Sequence, residues 1–472
     1  MSYSAASEFV MLHLGLGSFH RAHQAAYLQA LMETGDKRWS LVGTNIRPDM
    51  AQVLTALKAQ DGAYTLETVS PAGEYRYQRI EAIRQVLPFD ATLRTATEVA
   101  AQPSTRIISF TVTEAGYYLG PNGQLDTQAP DVQADLQKLR AGQAGNTIFG
   151  AIAAMLRARM AANAGPVTLL NCDNLRHNGD RFRAMLRAFL DLLGDAPLLA
   201  WMLANTSCPN SMVDRITPRP PPELRERVRK ATGWDDAAPV GGESFIQWVI
   251  EEDFANGRPE WEHVGVEMVK SVAPYEEAKI RILNGSHSCI AWAGTLAGMQ
   301  YIHDGALTPD IRRLAYAYIT DDVIPCLDKP GQPSPVDLPR YRDVVLERFG
   351  NAQVRDTNQR VAMDAFSKIP GFIAPTVRER LAAGQSINSV AVLPALFLGF
   401  LQRWHQGKLP YEYQDQAMDP AVAHAICEST DPVAAFCADA SLWNELAGGE
   451  RLVEAVRQAT RRHAALIEGS SP

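Results

Sequence analysis

The sequence predicts an α/β fold with a mostly parallel sheet in its first half and a predominantly α-helical second half. Three observations predict it. An apolar run, Phe9 to Leu14, breaks into Gly15-Leu16-Gly17, and an amphipathic stretch follows from about Arg21 to Met32. Short apolar runs suited to buried strands then alternate with helical periodicity up to about residue 272. After Pro274 strand signals become rare, which divides the chain into domains at 1–272 and 273–472.

Trp39 to Gly43 reads as a second strand and Asp49 to about Ala59 as the next helix. Tyr64 to Val69 and Glu74 to Ile80 flank the turn sequence SPAG, an antiparallel hairpin inserted into the parallel unit. Ile107 to Val112 and Val167 to Leu170 are continuous apolar runs, as strands covered on both faces require. Asp126 to Gly145 between them is polar, and Val266 to Val272 is the last strand-like run. The second domain carries helical periodicity near 276–300, 308–320, 355–367, 391–406 and 448–467, with a Pro-rich loop at Lys329 to Pro339.

With 45 Lys+Arg against 53 Asp+Glu the net charge is −8, which offers no basic field to nucleic acid or an anionic membrane. Ile282 to His303 lacks Asp, Glu, Lys and Arg, but Asn284, Ser286, His287, Ser288, Thr295 and Gln300 make it too polar for a bilayer span. It reads as a helix buried in protein. The opening MSYSAASEFV has neither the basic start nor the apolar run of a secretory signal. The six scattered cysteines form no CxxC pair, so reduced thiols in a cytoplasmic protein are expected.

The turn after the first strand is where backbone N–H groups and a helix N-terminus cradle a pyrophosphate, the signature of a Rossmann-like domain. Gly15, Gly17, Ser18 and Phe19 are therefore the candidate cofactor-binding residues. His20 stands where the usual fingerprint has its third glycine, and a purely structural turn would also explain the motif. After the second strand Asp49 is the candidate acid for the adenosine ribose, favouring NAD. Arg47 could instead attract a 2′-phosphate, and Asp49 could simply favour the start of the next helix.

The most informative segment is Pro274 to Gly294. At 100° per residue, Glu276, Lys279, Asn284 and His287 fall in one sector of a helix that otherwise looks buried. One explanation is a satisfied polar network bracing the fold; the other is catalysis. A desolvated lysine can accept an alcohol proton, an asparagine amide can stabilise an alkoxide, and a histidine can orient substrate. NCDN, at Asn171 to Asn174, ends a predicted strand at the sheet's carboxyl edge, and Asn174 is a candidate second amide donor. Its alternative reading is turn chemistry. His13 and His23 read as packing or surface residues. No HExxH or HxxEH pattern marks zinc, and no GxSxG elbow marks a serine hydrolase.

Taken together, these motifs resemble the mannitol dehydrogenase family of long-chain, zinc-independent polyol dehydrogenases. The resemblance rests on His13 to Leu28, Asn171 to Gly179, Pro209 to Pro218, Pro274 to His287 and Asn358 to Pro370. Within the family, SCIAWAGTLAG after His287, TNIRPD after the second strand and RITPRP at Arg215 to Pro220 look most like the bacterial subgroup that acts on D-arabinitol. The resemblance implies oxidation of a polyol to a ketose with NAD, D-arabinitol to D-xylulose in that subgroup, with mannitol and fructose the alternative pair. It implies Lys279 as catalytic base, Asn174 and Asn284 as amides on the reacting oxygen, and His287 as orienting substrate. Glu276 matches a glutamate associated with proton exchange towards solvent, and Asp214, Arg360 and Lys368 match positions lining the polyol site. Met50 departs from the acid that some mannitol enzymes carry beside the position of Asp49. The resemblance leans towards a monomer without nucleic-acid or membrane partners. Two other classes compete with it: a dinucleotide-binding regulator without turnover, and a zinc-dependent polyol dehydrogenase.

Overall fold

The first apolar run forms β1 (Phe9–Leu14), and Trp39–Thr44 forms β2 beside it. The hairpin at the SPAG turn is β3 (Tyr64–Val69) against β4 (Tyr75–Ile80), antiparallel, with Tyr64 opposite Ile80 and Val69 opposite Tyr75. Further along lie β5 (Ile83–Val86), β6 (Thr105–Phe110), β7 (Val167–Asn171) and the short β8 (Thr206–Ser207). β9 (Ser211–Asp214), β10 (Val240–Glu243), β11 (Gln247–Glu251) and β12 (Glu267–Val269) complete the strands. These descriptions come from a computed structural model, which describes residues 8–120 and 123–468. The opening residues that lack a secretory pattern therefore lie mostly outside the described ones.

Six strands pair in the order β5-β2-β1-β6-β7-β8, every pair parallel. The order reverses between β1 and β6. That is the switch point where open parallel sheets bind ligands at their carboxyl ends. Every residue of β2 and β7 is buried, which explains why those strands read as mainly apolar runs without a charged residue. Two three-stranded sheets accompany the main one: β10-β3-β4, with β10 parallel to β3, and β12-β11-β9. Strands β8 to β11 are too short, or too mixed in character, to stand out in the sequence.

The chain divides into two compact units. One runs to Ser70 and resumes at Glu74–Ala273; the other joins Pro71–Gly73 to the residues from Pro274 onward. The described residues of the second unit carry helices and no strand beyond isolated bridges. At its centre a continuous helix runs as Ala273–Ala278, then Lys279–Asn284, then Gly285–Leu296. Ile282, Ile290 and Trp292 on it are fully buried in a core shared with Leu393, Phe397 and Phe400 of the helix Val392–His405. The expected helix at 355–367 is two short ones, Asn358–Ala362 and Ala365–Lys368, interrupted at Asp364, which has a positive φ of 55°. Among the described residues no helix is long and apolar enough to cross a membrane.

One buried cation ties together the loops that lead into two sheet strands. Arg159 is fully buried and donates to the carbonyls of Ala100, Gln102, Ala164, Gly165 and Pro166, which precede β6 and β7. Lysine has three donors and no planar fork, so it cannot replace all five bonds. Arg159→Lys should lower stability by roughly 1–3 kcal/mol for each buried carbonyl left unpaired, read as a lower urea midpoint. An unchanged midpoint would mean that these loops do not depend on it.

Candidate functional site

In the first unit the site begins where β1 ends. Gly15 has φ +106°, and a Cβ there would collide with the Thr111 carbonyl oxygen at the end of β6, so the fold itself requires glycine. Its carbonyl accepts from the Gly17 N–H at 2.7 Å, the Thr111 hydroxyl at 2.9 Å and the His13 Nε2–H at 3.1 Å. The Gly15 N–H donates to Thr44 of β2, and the Leu16 N–H to the Asn45 side chain at 2.7 Å. The helix Ser18–Ala22 starts immediately afterwards, and its first N–H groups have no carbonyl a turn back within the helix.

Gly17 is different. Its φ is −84°, which any residue adopts, and a Cβ there would have only the Gly15 oxygen within reach, at 3.9 Å. Among the described residues no atom demands a glycine here. The open space over a helix N-terminus suits a pyrophosphate approaching the backbone, so these residues fit a dinucleotide.

His20, in place of the third glycine, is buried and stacks on His13 of β1 with ring centroids 3.4 Å apart. Hydrogen bonding continues from His20 to Gln24, from Gln24 to His23, and from His23 to the Gln247 carbonyl. Burial pulls the His13 imidazole down to about 3, so it is neutral at ordinary pH and serves packing, as its sequence position suggests.

Asp49 lies exposed on the turn Pro48–Met50. The residue directly after β2 is Asn45, which braces the glycine turn and which sequence reasoning missed. Arg47 donates to the Tyr118 hydroxyl at 2.6 Å.

NCDN splits into two jobs. The Asn171 side chain accepts from the Asp173 N–H and the Tyr117 hydroxyl, and Asp173 accepts from the N–H groups of Val112 and Thr113. Both are buried and structural, the turn reading of this motif. Asn174 is exposed beyond the carboxyl end of β7, and Asp214 closes β9 with 6% exposure.

In the second unit Glu276 and Lys279 are buried at 5% and 7% exposure, while Asn284 and His287 are partly open. The uniform 100° per residue does not hold between them. Lys279–Asn284 is a π-helical segment with one extra residue in the turn, so Asn284 and His287 are rotated back relative to Lys279. Sequence periodicity carries no sign of such an insertion.

The structure gathers His287, Arg360 and Lys368 around Asp356, which sequence reasoning missed; its only signal is an acid four residues before Arg360. Arg360 grips Asp356 with two bonds of 2.6 and 2.5 Å. The His287 Nε2 lies 3.3 Å from the same carboxylate, and its ring stacks on Phe349. Burial lowers the His287 imidazole in spite of Asp356. Against its own desolvation, Asp356 is held below the usual carboxylate range by its bonds to His287 and Arg360. Burial brings the Lys368 ammonium down to about 8, and its Nζ donates to the Val361 carbonyl at 2.6 Å. Among the described residues no cluster of three or more His, Cys, Asp or Glu is arranged for a metal.

Residues 10–263 match the mannitol dehydrogenase Rossmann domain and residues 271–464 the mannitol dehydrogenase C-terminal domain. A D-arabinitol 4-dehydrogenase of Ralstonia nicotianae is 60% identical over 96% of both chains. A D-arabinitol 4-dehydrogenase of Klebsiella pneumoniae is 54% identical over 96% of this chain and 97% of its own. The Pseudomonas fluorescens mannitol 2-dehydrogenase, solved in a ternary complex with NAD and D-mannitol, superposes with a TM-score of 0.81 at 32% identity, covering 98% of this chain and 94% of its own. The chain belongs to the mannitol dehydrogenase family.

Proposed function

We propose that this protein oxidises D-arabinitol to D-xylulose with NAD⁺, using Lys279 as the general base. The observation that carries the reading is the buried helix bearing Glu276, Lys279, Asn284 and His287, in a chain 60% identical over nearly its whole length to a D-arabinitol 4-dehydrogenase. When bound, NAD⁺ accepts the hydride from the alcohol carbon. The neutral Lys279 amine takes the alcohol proton, and Glu276 passes it on towards solvent. The amides of Asn174 and Asn284 hold the oxygen as its charge develops. His287, kept neutral by burial with its Nε2 towards Asp356, keeps Nδ1 as an acceptor with which to orient a hydroxyl. Asp214, Arg360 and Lys368 hold the rest of the polyol. Gly15, Gly17, Ser18 and Phe19 take the pyrophosphate, and Asp49 takes the adenosine ribose. Six free thiols suit a reducing, cytoplasmic setting.

Activity with NAD⁺ and a panel of polyols tests the substrate. Catalytic efficiency should be highest with D-arabinitol and insensitive to chelators; D-mannitol winning the comparison would favour the mannitol 2-dehydrogenase reading. Reduction abolished by a chelator would point to zinc, and NAD⁺ binding without turnover to a regulator.

Gly17→Val should weaken NAD⁺ binding at least tenfold while leaving the melting temperature close to wild type, since the new side chain meets only the ligand's space. Unchanged affinity by calorimetry would place the dinucleotide elsewhere. Asp49→Ser should relax discrimination against NADP⁺ without altering polyol choice, because the carboxylate no longer repels a 2′-phosphate; a constant NAD⁺/NADP⁺ efficiency ratio would reject that role.

Lys279→Ala should fold and bind NAD⁺ yet lose ~10²–10⁴-fold in turnover. Wild-type oxidation should rise with pH, because only the unprotonated amine accepts the alcohol's proton. That dependence should disappear in Lys279→Ala and persist in a slowed Asn284→Ala. Small exogenous amines should restore the lysine variant and not the asparagine one. Near-normal turnover in Lys279→Ala would return this helix to a structural polar network.

A further inference from the structure

The register of Lys279–Asn284 releases a carbonyl from its helical donor, and a side chain from another helix supplies a replacement. In an α-helix the Gly285 N–H donates four residues back, to Arg281. Here it reaches Ile280, five residues back, and is shared with Ile282. The Arg281 carbonyl instead accepts from the Tyr318 hydroxyl at 2.8 Å. Tyr318 is fully buried and opens a second π-helical segment, Tyr318–Val323. Gly285 makes the approach possible, because a Cβ there would run into the Tyr318 hydroxyl.

The same turn is held from its other side. The Arg281 guanidinium bridges Glu277 and Glu379, each at 2.7 Å, and Lys329 pairs with Glu379 at 2.6 Å. If the segment reverted to α register, the Gly285 N–H would reclaim Arg281 and the buried Tyr318 hydroxyl would lose its acceptor. An unpaired buried polar group is costly, so hydroxyl and register support each other. The extra residue in the turn rotates the helix beyond Asn284 relative to the helix before Lys279. Lys279 stands at one end of the segment, Asn284 at the other, and His287 one turn beyond.

We propose that Tyr318 is a positioning residue: its hydroxyl on the Arg281 carbonyl holds the wide register that sets Lys279 against Asn284 and His287. The inference rests on the reading of Lys279 as base, and the experiment keeps the two apart. Tyr318→Phe retains the ring and removes only the hydroxyl. With NAD⁺ and D-arabinitol its kcat should fall roughly 10–100-fold, the scale of a small misplacement of reacting groups. KM and NAD⁺ affinity should stay near wild type, and amide exchange should accelerate across residues 279–287. Gly285→Ala, which crowds the same hydroxyl, should give the same kinetic loss by an independent route, and it carries the test if Tyr318→Phe does not fold. A merely structural tyrosine would lower the melting temperature and leave kcat unchanged; that result in either folded variant overturns the proposal. Lys279→Ala assayed alongside separates the two readings. An inactive Lys279→Ala with a fully active Tyr318→Phe defeats only the positioning role, whereas an active Lys279→Ala defeats the base itself.

Discussion

The helix from Ala273 to Leu296 is both the centre of the second unit's core and the carrier of its ionisable side chains. Those two duties conflict, because a polar group without partners in a dry interior costs about 1–3 kcal/mol, and a charge more. The conflict is resolved residue by residue. Burial works against the charge on Arg281, but two glutamates more than offset it and keep the guanidinium charged. The Ser286 hydroxyl turns back onto the Ile282 carbonyl, and the Ser288 hydroxyl onto that of Asn284. Asn284 and His287 are left partly open. A helix with this much internal polarity keeps its place only while those partners stay in register.

The first unit meets its own constraint with two glycines of different kinds. Gly15 is imposed by the protein, through a positive φ and the Thr111 carbonyl beside it. Gly17 is not required by any neighbour among the described residues, and its small size leaves open space over the start of the helix Ser18–Ala22. The neighbouring histidines show how the usual close helix–strand contact was replaced. His20 lies flat against His13; its Nδ1 starts a chain of hydrogen bonds through Gln24 and His23, while His13 bonds Ser109, Gly15 and Thr111. A buried aromatic stack thus occupies the place where other dinucleotide folds keep a third glycine.

The legible parts of the sequence were those with a strong period or a strong breaker. β1, β2, β6 and β7 are apolar runs, the β3–β4 hairpin carries SPAG, and the change of character at Pro274 lies next to the division between the units. β12 falls within the strand-like run Val266 to Val272, whereas short strands such as β8 and β9 are set by their neighbours rather than by their own residues. At the site, residue types pointed to Lys279, Asn284 and His287, but their relative phase did not emerge, because a π-helical insertion has no periodic signature. Asp356 was hidden for a related reason: an acid four residues before an arginine looks like an ordinary surface pair, and only the fold brings His287 to it. In NCDN the same residue types serve two ends, and only burial separates Asn171 and Asp173, which tie the turn together, from the exposed Asn174.

The electrostatics around Asp356 give this arrangement its direction. A neighbouring carboxylate would ordinarily raise a histidine's pKa, yet desolvation wins at His287 and the ring stays neutral beside Asp356. Arg360 explains how. By taking Asp356 through two short bonds it satisfies most of the carboxylate's demand, so the aspartate fixes the His287 ring without needing it to be cationic. The same logic applies to Lys368, whose lowered value of about 8 reduces the positive charge it carries at alkaline pH. Arg360 stays charged but is neutralised by Asp356, so its influence is largely cancelled.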